Sequence, residues 1–183
     1  MHLSTKNIEE WNSAIYSFID EANGEINKIT DYTQQNMGTT MALLIINENK
    51  AKVYNLGDSR IYLYSNGTLK QLSRDHTVAA QLVEVGLISE SEAKSHSQRN
   101  KLTRHLGLSK NDSDVRPNVT ELYVNNGDMF ILCSDGLTEV YSDSEIVDLL
   151  KQKRLNGNIA EELVNGALSS GSRDNITVIT IQI

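Results

Sequence analysis

The sequence predicts a layered α+β domain in which antiparallel strands are covered on the outside by helices. Three observations predict it. An apolar stripe at helical spacing opens the chain. A run of β-forming segments punctuated by Asn-Gly follows. Two amphipathic helical stretches then come before a last strand. At 183 residues the chain is long enough for one domain with a proper core and short for two.

Taken in order, Ile8, Trp11, Ile15, Phe18, Ala22, Ile26 and Ile29 follow three-and-four spacing and lay one stripe along a helix. Gly24 interrupts that stripe as a weak point, and the polar stretch Asp31 to Asn36 reads as its exit loop. Residues 1–36 thus form a helical N-terminal part. Met41–Ile46 is a continuous apolar run, the pattern of a strand buried on both faces. Lys52–Leu56 and Arg60–Tyr64 flank a tight Gly57-Asp58-Ser59 turn, and Asn66-Gly67 joins Arg60–Tyr64 to Thr68–Leu72, which together make a meander.

Residues 77–110 read as a helical flap region. Thr77–Val85 is a helix stopped by Gly86, Ser89 and Glu92 have capping-box spacing, and Lys94 to Arg104 is a polar, basic, mobile surface segment. Pro117 precedes the strand Val119–Val124, and Asn126-Gly127 makes a second hairpin into Met129–Cys133. Ser142 and Glu145 cap a helix to about Leu150. Another spans Asn158 to Leu168 with Ile159, Leu163, Val164 and Ala167 inward, and Asn175–Ile183 is the final strand.

Composition narrows the function classes. A formal net charge of −7 repels phosphate backbones and argues against a nucleic-acid partner. The longest apolar run has six residues, Met41–Ile46, too few to span a bilayer, and MHLSTKNIEE lacks the basic and apolar stretches of a secretory signal. Cys133 is the only cysteine, so no intrachain disulfide forms, which fits a cytoplasmic protein.

Chemistry points to strand ends. Asp135 follows Met129–Cys133, Asp174 precedes the last strand, and Asp58 sits in the turn between two others. A carboxylate beside an apolar core is paired or holds a cation, and hard divalent ions take such oxygen ligands. Each aspartate taken alone is also an ordinary turn residue or helix cap, and Arg173 offers a counter-charge that needs no metal.

The words MGTT (Met37–Thr40), GDSR (Gly57–Arg60), DHT (Asp75–Thr77), SDGL (Ser134–Leu137) and RDNITVI (Arg173–Ile179), with Leu102-Thr103-Arg104 and Gly107, change that balance. In this order they resemble the metal-dependent protein serine/threonine phosphatases of type 2C, the PPM family, from about Ser17 onward. The resemblance implies a four-layer α-β-β-α sandwich of antiparallel sheets and a site for Mg²⁺ or Mn²⁺. There a metal-activated water hydrolyses phosphoserine or phosphothreonine. It implies metal ligation by Asp135, Asp174 and Gly136, with Asp58 at the position of a weaker third ion. Supporting roles fall to Asn175, Ser134 and Arg60, and substrate contact to a flap carrying Arg99, Lys101 and Arg104. Thr39 and Thr40 read as sheet supports, His76 as a loop side chain fixing its turn, and Cys133 as core.

The same resemblance implies early strands bearing a phosphate-gripping arginine, acidic ligands and an Asp-Gly loop. No Asp-Gly pair precedes Asp135 here. The expectation is therefore an N-terminally truncated domain, weak or inactive alone, whose open sheet edge is met by a second copy, a missing segment or a partner. The expected partners are a phosphoprotein substrate or a regulatory protein. The alternative is a non-catalytic pseudophosphatase acting as a binding module. In a further reading the SDG and RDN words are only turns of an interaction domain.

Overall fold

A computed structural model describes residues 10–109, 115–152 and 158–183; Ile8 of the expected stripe and Lys110 of the expected flap region lie outside the described residues. Helix α1 (Glu10–Thr33) runs unbroken through Gly24 and on through Asp31, where a loop was expected. Two clamps account for this. The side-chain amides of Asn23 and Asn27, on either side of Gly24, both donate to the Leu108 carbonyl at 3.1 Å. In the last turn the Thr33 hydroxyl donates to the Ile29 carbonyl and the Gln34 amide to the Asp31 carbonyl, which satisfies groups that a helix end leaves open. Gln34, at φ +54°, then ends the helix.

Strands β1 (Met41–Asn47) and β2 (Lys50–Leu56) pair with each other, and β2 pairs with β5 (Asn118–Tyr123). The second sheet has the order β4-β3-β6-β7, from β3 (Arg60–Ser65), β4 (Thr68–Gln71), β6 (Met129–Cys133) and β7 (Val178–Gln182). All neighbours are antiparallel. Asn66-Gly67, at φ +51° and +80°, forms the expected β3–β4 hairpin turn.

Two expected connections differ. Gly57–Ser59 does not fold β2 back onto β3, and Asn126-Gly127 does not fold β5 onto β6: each carries the chain from one sheet to the other. The second crossing is held by Asp128, which is buried and accepts the Asn125 N–H at 2.8 Å. Its carbonyl takes the Ile183 N–H.

Burial defines four layers. Ile15, Ile19, Tyr54 and Leu56 pack with Met41, Leu43 and Ile45, joining α1 to the outer face of the first sheet. Ala51, Val53, Ile61, Phe130 and Leu132 fill the space between the sheets. Tyr62, Ile131, Cys133, Leu137, Ile146 and Leu163 join the second sheet to α4 (Asp135–Thr138), α5 (Asp143–Gln152) and α6 (Ile159–Ser169). This is the α-β-β-α sandwich. The run Met41–Ile46 is half-exposed rather than buried on both faces, because β1 lies at a sheet edge and β2 takes the inner position. Phe18 and Ile29, expected inward, are exposed.

The flap region holds α2 (Val78–Glu84), capped by Thr77, and α3 (Glu90–Ser95), closed by the full Ser89–Glu92 capping box. Ser142 and Glu145 form the same reciprocal pair before α5. The segment expected to be mobile is tied back to the sandwich: the Val78 N–H donates to Lys101 O and the Thr103 N–H to His76 O.

Candidate metal centre

At the end of β6 the chain turns sharply into α4, and Asp135 is the first residue of that short helix. The loop before β7 is fastened here through Ser134, which is why the last strand begins at Val178 and not at Asn175. The Ser134 hydroxyl donates to the Asn175 carbonyl at 3.1 Å and accepts the Thr177 N–H at 3.0 Å; the Ser134 N–H donates to the Thr177 carbonyl. The Ser172 hydroxyl donates to the Gly136 carbonyl at 2.8 Å. A Cβ at Gly136 would stand 2.5 Å from the Asn175 oxygen. The close approach that Gly136 permits is therefore to Asn175, and its carbonyl already holds the Ser172 hydroxyl. Asp174, exposed, accepts the backbone N–H of Asn175 at 2.7 Å.

Asp58 enters from the β2–β3 crossing. Gly57, at φ +94°, is required there, since a Cβ would meet the Thr40 methyl at 2.3 Å. Thr40 and Ser59 share a hydroxyl hydrogen bond at 2.8 Å, and Thr39 pairs through its backbone with Leu106. Both threonines serve the framework. His76 does likewise: its Nδ1 accepts the Gly57 N–H at 3.1 Å and its own N–H donates to Gly57 O. Burial lowers its pKa, and accepting at Nδ1 fixes the neutral ring with its proton on Nε2.

The three aspartates feel one another. Burial, then Asp135, raises the Asp58 carboxyl to about 6. Burial, then Asp174, raises Asp135. Arg60 draws Asp58 back down, but less than burial and Asp135 raise it. Arg60 is committed elsewhere: Nε and Nη2 grip Asp75 at 2.6–3.0 Å and Nη1 donates to the Tyr62 hydroxyl at 2.9 Å. Arg173, the alternative counter-charge, is exposed and makes no salt bridge among the described residues. The donor chemistry suits a hard divalent cation. The number of donors falls short: among the described residues no group of three or more His, Cys, Asp or Glu stands close enough to hold a metal ion.

The flap residues separate. Arg104 donates from Nη1 to the Arg116 carbonyl and to Asn118 Oδ1, which braces the start of β5. Arg99 reaches Glu139, just past α4, at 3.7 Å, and Lys101 is exposed. Cys133 is buried and its thiol is pushed up to about 12, which suits a core residue and not a nucleophile. Sequence reasoning missed Asp75 as the partner of Arg60 and Ser172 as the partner of Gly136.

One pH effect follows from Asp58. Its folded pKa lies above the unfolded value of about 3.9, so the unfolded chain binds fewer protons in between. The metal-free protein then loses stability as pH rises from about 4 to about 6 and carries the full cost above that. Asp58→Asn is expected to raise the melting temperature at pH 7 and to leave it little changed at pH 4. Thermal unfolding at the two pH values checks this, and equal shifts at both would contradict it.

The four-layer sandwich sets Asp58, Asp135 and Asp174 near the ends of its strands. Residues 3–176 match the family Protein phosphatase 2C, and the chain belongs to that family. The serine/threonine phosphatase stp of Listeria welshimeri is 34% identical over 182 residues, covering 98% of this chain and 70% of that protein. Among solved structures, the serine/threonine phosphatase of S. agalactiae superposes with a TM-score of 0.89 at 28% identity, over 100% of this chain and 75% of that one. The catalytic domain of serine threonine protein phosphatase PstP, solved in complex with two manganese ions, gives 0.77 at 28% identity, over 98% and 72%. In the described residues no helix is long and apolar enough to cross a membrane.

Proposed function

We propose that the protein is a metal-dependent phosphatase of phosphoserine and phosphothreonine in proteins, with a divalent-cation site that its described residues build only in part. By itself the chain hydrolyses weakly or not at all. The observation that carries this reading is that the loop before β7, which bears Asp174, is fastened through Ser134 and Ser172 to the turn that bears Asp135. Asp135 and Asp174 would hold Mg²⁺ or Mn²⁺, with Asp58 at the position of a weaker further ion. Such an ion supplies Lewis-acid activation of water and neutralises charge in phosphoryl transfer.

The chain's own residues set the positions. Ser134 and Ser172 lock the two loops that carry Asp135 and Asp174, and the His76–Gly57 bonds fix the turn that carries Asp58. Arg99, beside the end of α4, and exposed Lys101 offer positive charge on the flap. The same reading places the protein in the cytoplasm, acting on a phosphoprotein. A second reading, a non-catalytic binding module, draws on the short ligand count.

Cation binding tests the site itself. Titrating Mn²⁺ into the chain, followed by electron paramagnetic resonance, is expected to show weak, saturable binding that Asp135→Asn abolishes while the protein stays folded. No saturable binding, or binding that survives Asp135→Asn, would sink the site.

A further inference from the structure

His76 is 5% exposed and makes two bonds to one residue: its Nδ1 accepts the Gly57 N–H at 3.1 Å, and its own N–H donates to the Gly57 carbonyl at 3.0 Å. Which ring nitrogen of a neutral imidazole carries the proton is set by the bond that the other one makes. Accepting at Nδ1 puts the proton on Nε2, and a buried N–H needs an acceptor. Arg104 Nη1, 3.5 Å from Nε2, cannot serve, because a guanidinium only donates. Asn118, the first residue of β5, can. Its Oδ1 accepts from that same Arg104 nitrogen at 3.3 Å, and its side chain hydrogen-bonds His76.

Arg104 decides which end of the Asn118 amide faces the ring. Having donors only, it draws Oδ1 toward itself and turns Nδ2 away. Its Nη1 is steadied in turn by the Arg116 carbonyl at 3.2 Å. The loop before His76 has its own fastening. Asn55, 1% exposed and opposite Asn118 in the β2–β5 ladder, donates to the Arg74 carbonyl at 2.6 Å and accepts the Arg74 N–H at 3.1 Å. The His76 carbonyl is held separately by the Thr103 N–H at 2.8 Å. The backbone of this loop is therefore seated without Asn118, and what Asn118 adds is the choice of tautomer. That choice governs the Gly57 N–H, at the residue whose φ of +94° leads the chain into Asp58.

We propose that Asn118 is a positioning residue of the cation site: oriented by Arg104, it selects the His76 tautomer that holds Gly57 and so places Asp58. Its bearing on cation binding rests on the proposed function, while the line Arg104–Asn118–His76–Gly57 can be read with no ion bound. Outer partners of this kind commonly change metal affinity about 10–100-fold when removed, although they touch no ion.

Nitrogen NMR of the full chain, at mildly alkaline pH where the ring is neutral, tests it. The expected result is a His76 ring protonated at Nε2 and bare at Nδ1, with a scalar coupling across the Gly57 N–H···Nδ1 bond. Asn118→Leu, similar in shape and without the acceptor, is expected to mix the tautomers and lose the coupling. Asn118→Asp keeps an oxygen and is expected to retain both. Broadening of the Asp58 amide signal by added Mn²⁺ should need about tenfold more ion in Asn118→Leu. A proton on Nδ1 in the unaltered chain overturns the proposal, and that reading needs no variant to fold. A tautomer indifferent to Asn118→Leu overturns it, as does an altered tautomer that leaves the Mn²⁺ response of Asp58 unchanged. If Mn²⁺ broadens no signal in the unaltered chain, the cation site fails, while the ring and Gly57 signals still decide whether Asn118 sets the tautomer.

Discussion

Arg60→Ala is expected to lower the unfolding free energy by about 2–4 kcal/mol, a little under the ~3–5 kcal/mol for breaking a fully buried ion pair because this one is partly exposed. The Arg60 and Asp75 side chains are only 27% and 19% exposed, so solvent does not replace the lost contact cheaply. Burial alone would push the Arg60 guanidinium down; hydrogen bonding to Asp75 and the nearby Tyr62 more than offset it and hold it above its ordinary value. Removing it leaves the Asp75 carboxylate with the Gln71 amide at 2.9 Å and takes from Tyr62 its donor, while Tyr62 still donates to Asp143. Because Arg60 joins the start of β3 to the loop after β4 and, through Tyr62, to the start of α5, the loss spreads over three elements. Arg60→Lys should recover only part of it, since an ammonium cannot reproduce the two-pronged grip. Urea unfolding measures both. A loss for Arg60→Ala under about 0.5 kcal/mol, the level of an ordinary surface change, would mean the clamp is decorative.

Gly136→Ala should cost about 1–3 kcal/mol, the usual range for overpacking. Helix propensity favours alanine by up to about 1 kcal/mol, so the sign depends on the clash. The opposing atom is a backbone carbonyl, Asn175 O, 2.5 Å from the new Cβ, and it cannot swing aside. The loop bearing Asp174 must move away from Asp135, so Mn²⁺ binding should fall with stability. Gly24→Ala is the matched control: nothing lies within 4 Å of its Cβ, and it should stabilise α1 by about 0.5–1 kcal/mol. If the two variants behave alike, the Gly136–Asn175 contact does not hold the site together.

Local chemistry made much of this fold legible. Asn66-Gly67 announced its hairpin, and Ser89–Glu92 and Ser142–Glu145 announced their helix starts, because each motif carries its hydrogen bonds within a few residues. Gly57–Ser59 and Asn126-Gly127 misled, because a turn signal reports that the chain bends and not which sheet it enters. Met41–Ile46 read as an inner strand since apolar pattern reports covered faces and says nothing of the lateral edge. Asp58, Asp135 and Asp174 stood out as carboxylates at strand ends. Arg60's partner was hidden, because Asp75 lies fifteen residues on and only the return of β4 brings it back. The resemblance put Arg104 on the flap; its partners Arg116 and Asn118 were hidden, because they sit across a segment no local pattern links to it.

On the proposed reading Asp58, Asp135 and Asp174 attract a divalent ion but lack the ligands for efficient turnover. Its most direct test is Mn²⁺-dependent hydrolysis of p-nitrophenyl phosphate by the 183-residue chain, beside Asp135→Asn. Weak Mn²⁺-dependent turnover, or none, is expected above the variant. Efficient turnover that requires Mn²⁺ and disappears in Asp135→Asn would contradict this reading, and would mean that the carboxylates present already build a working centre.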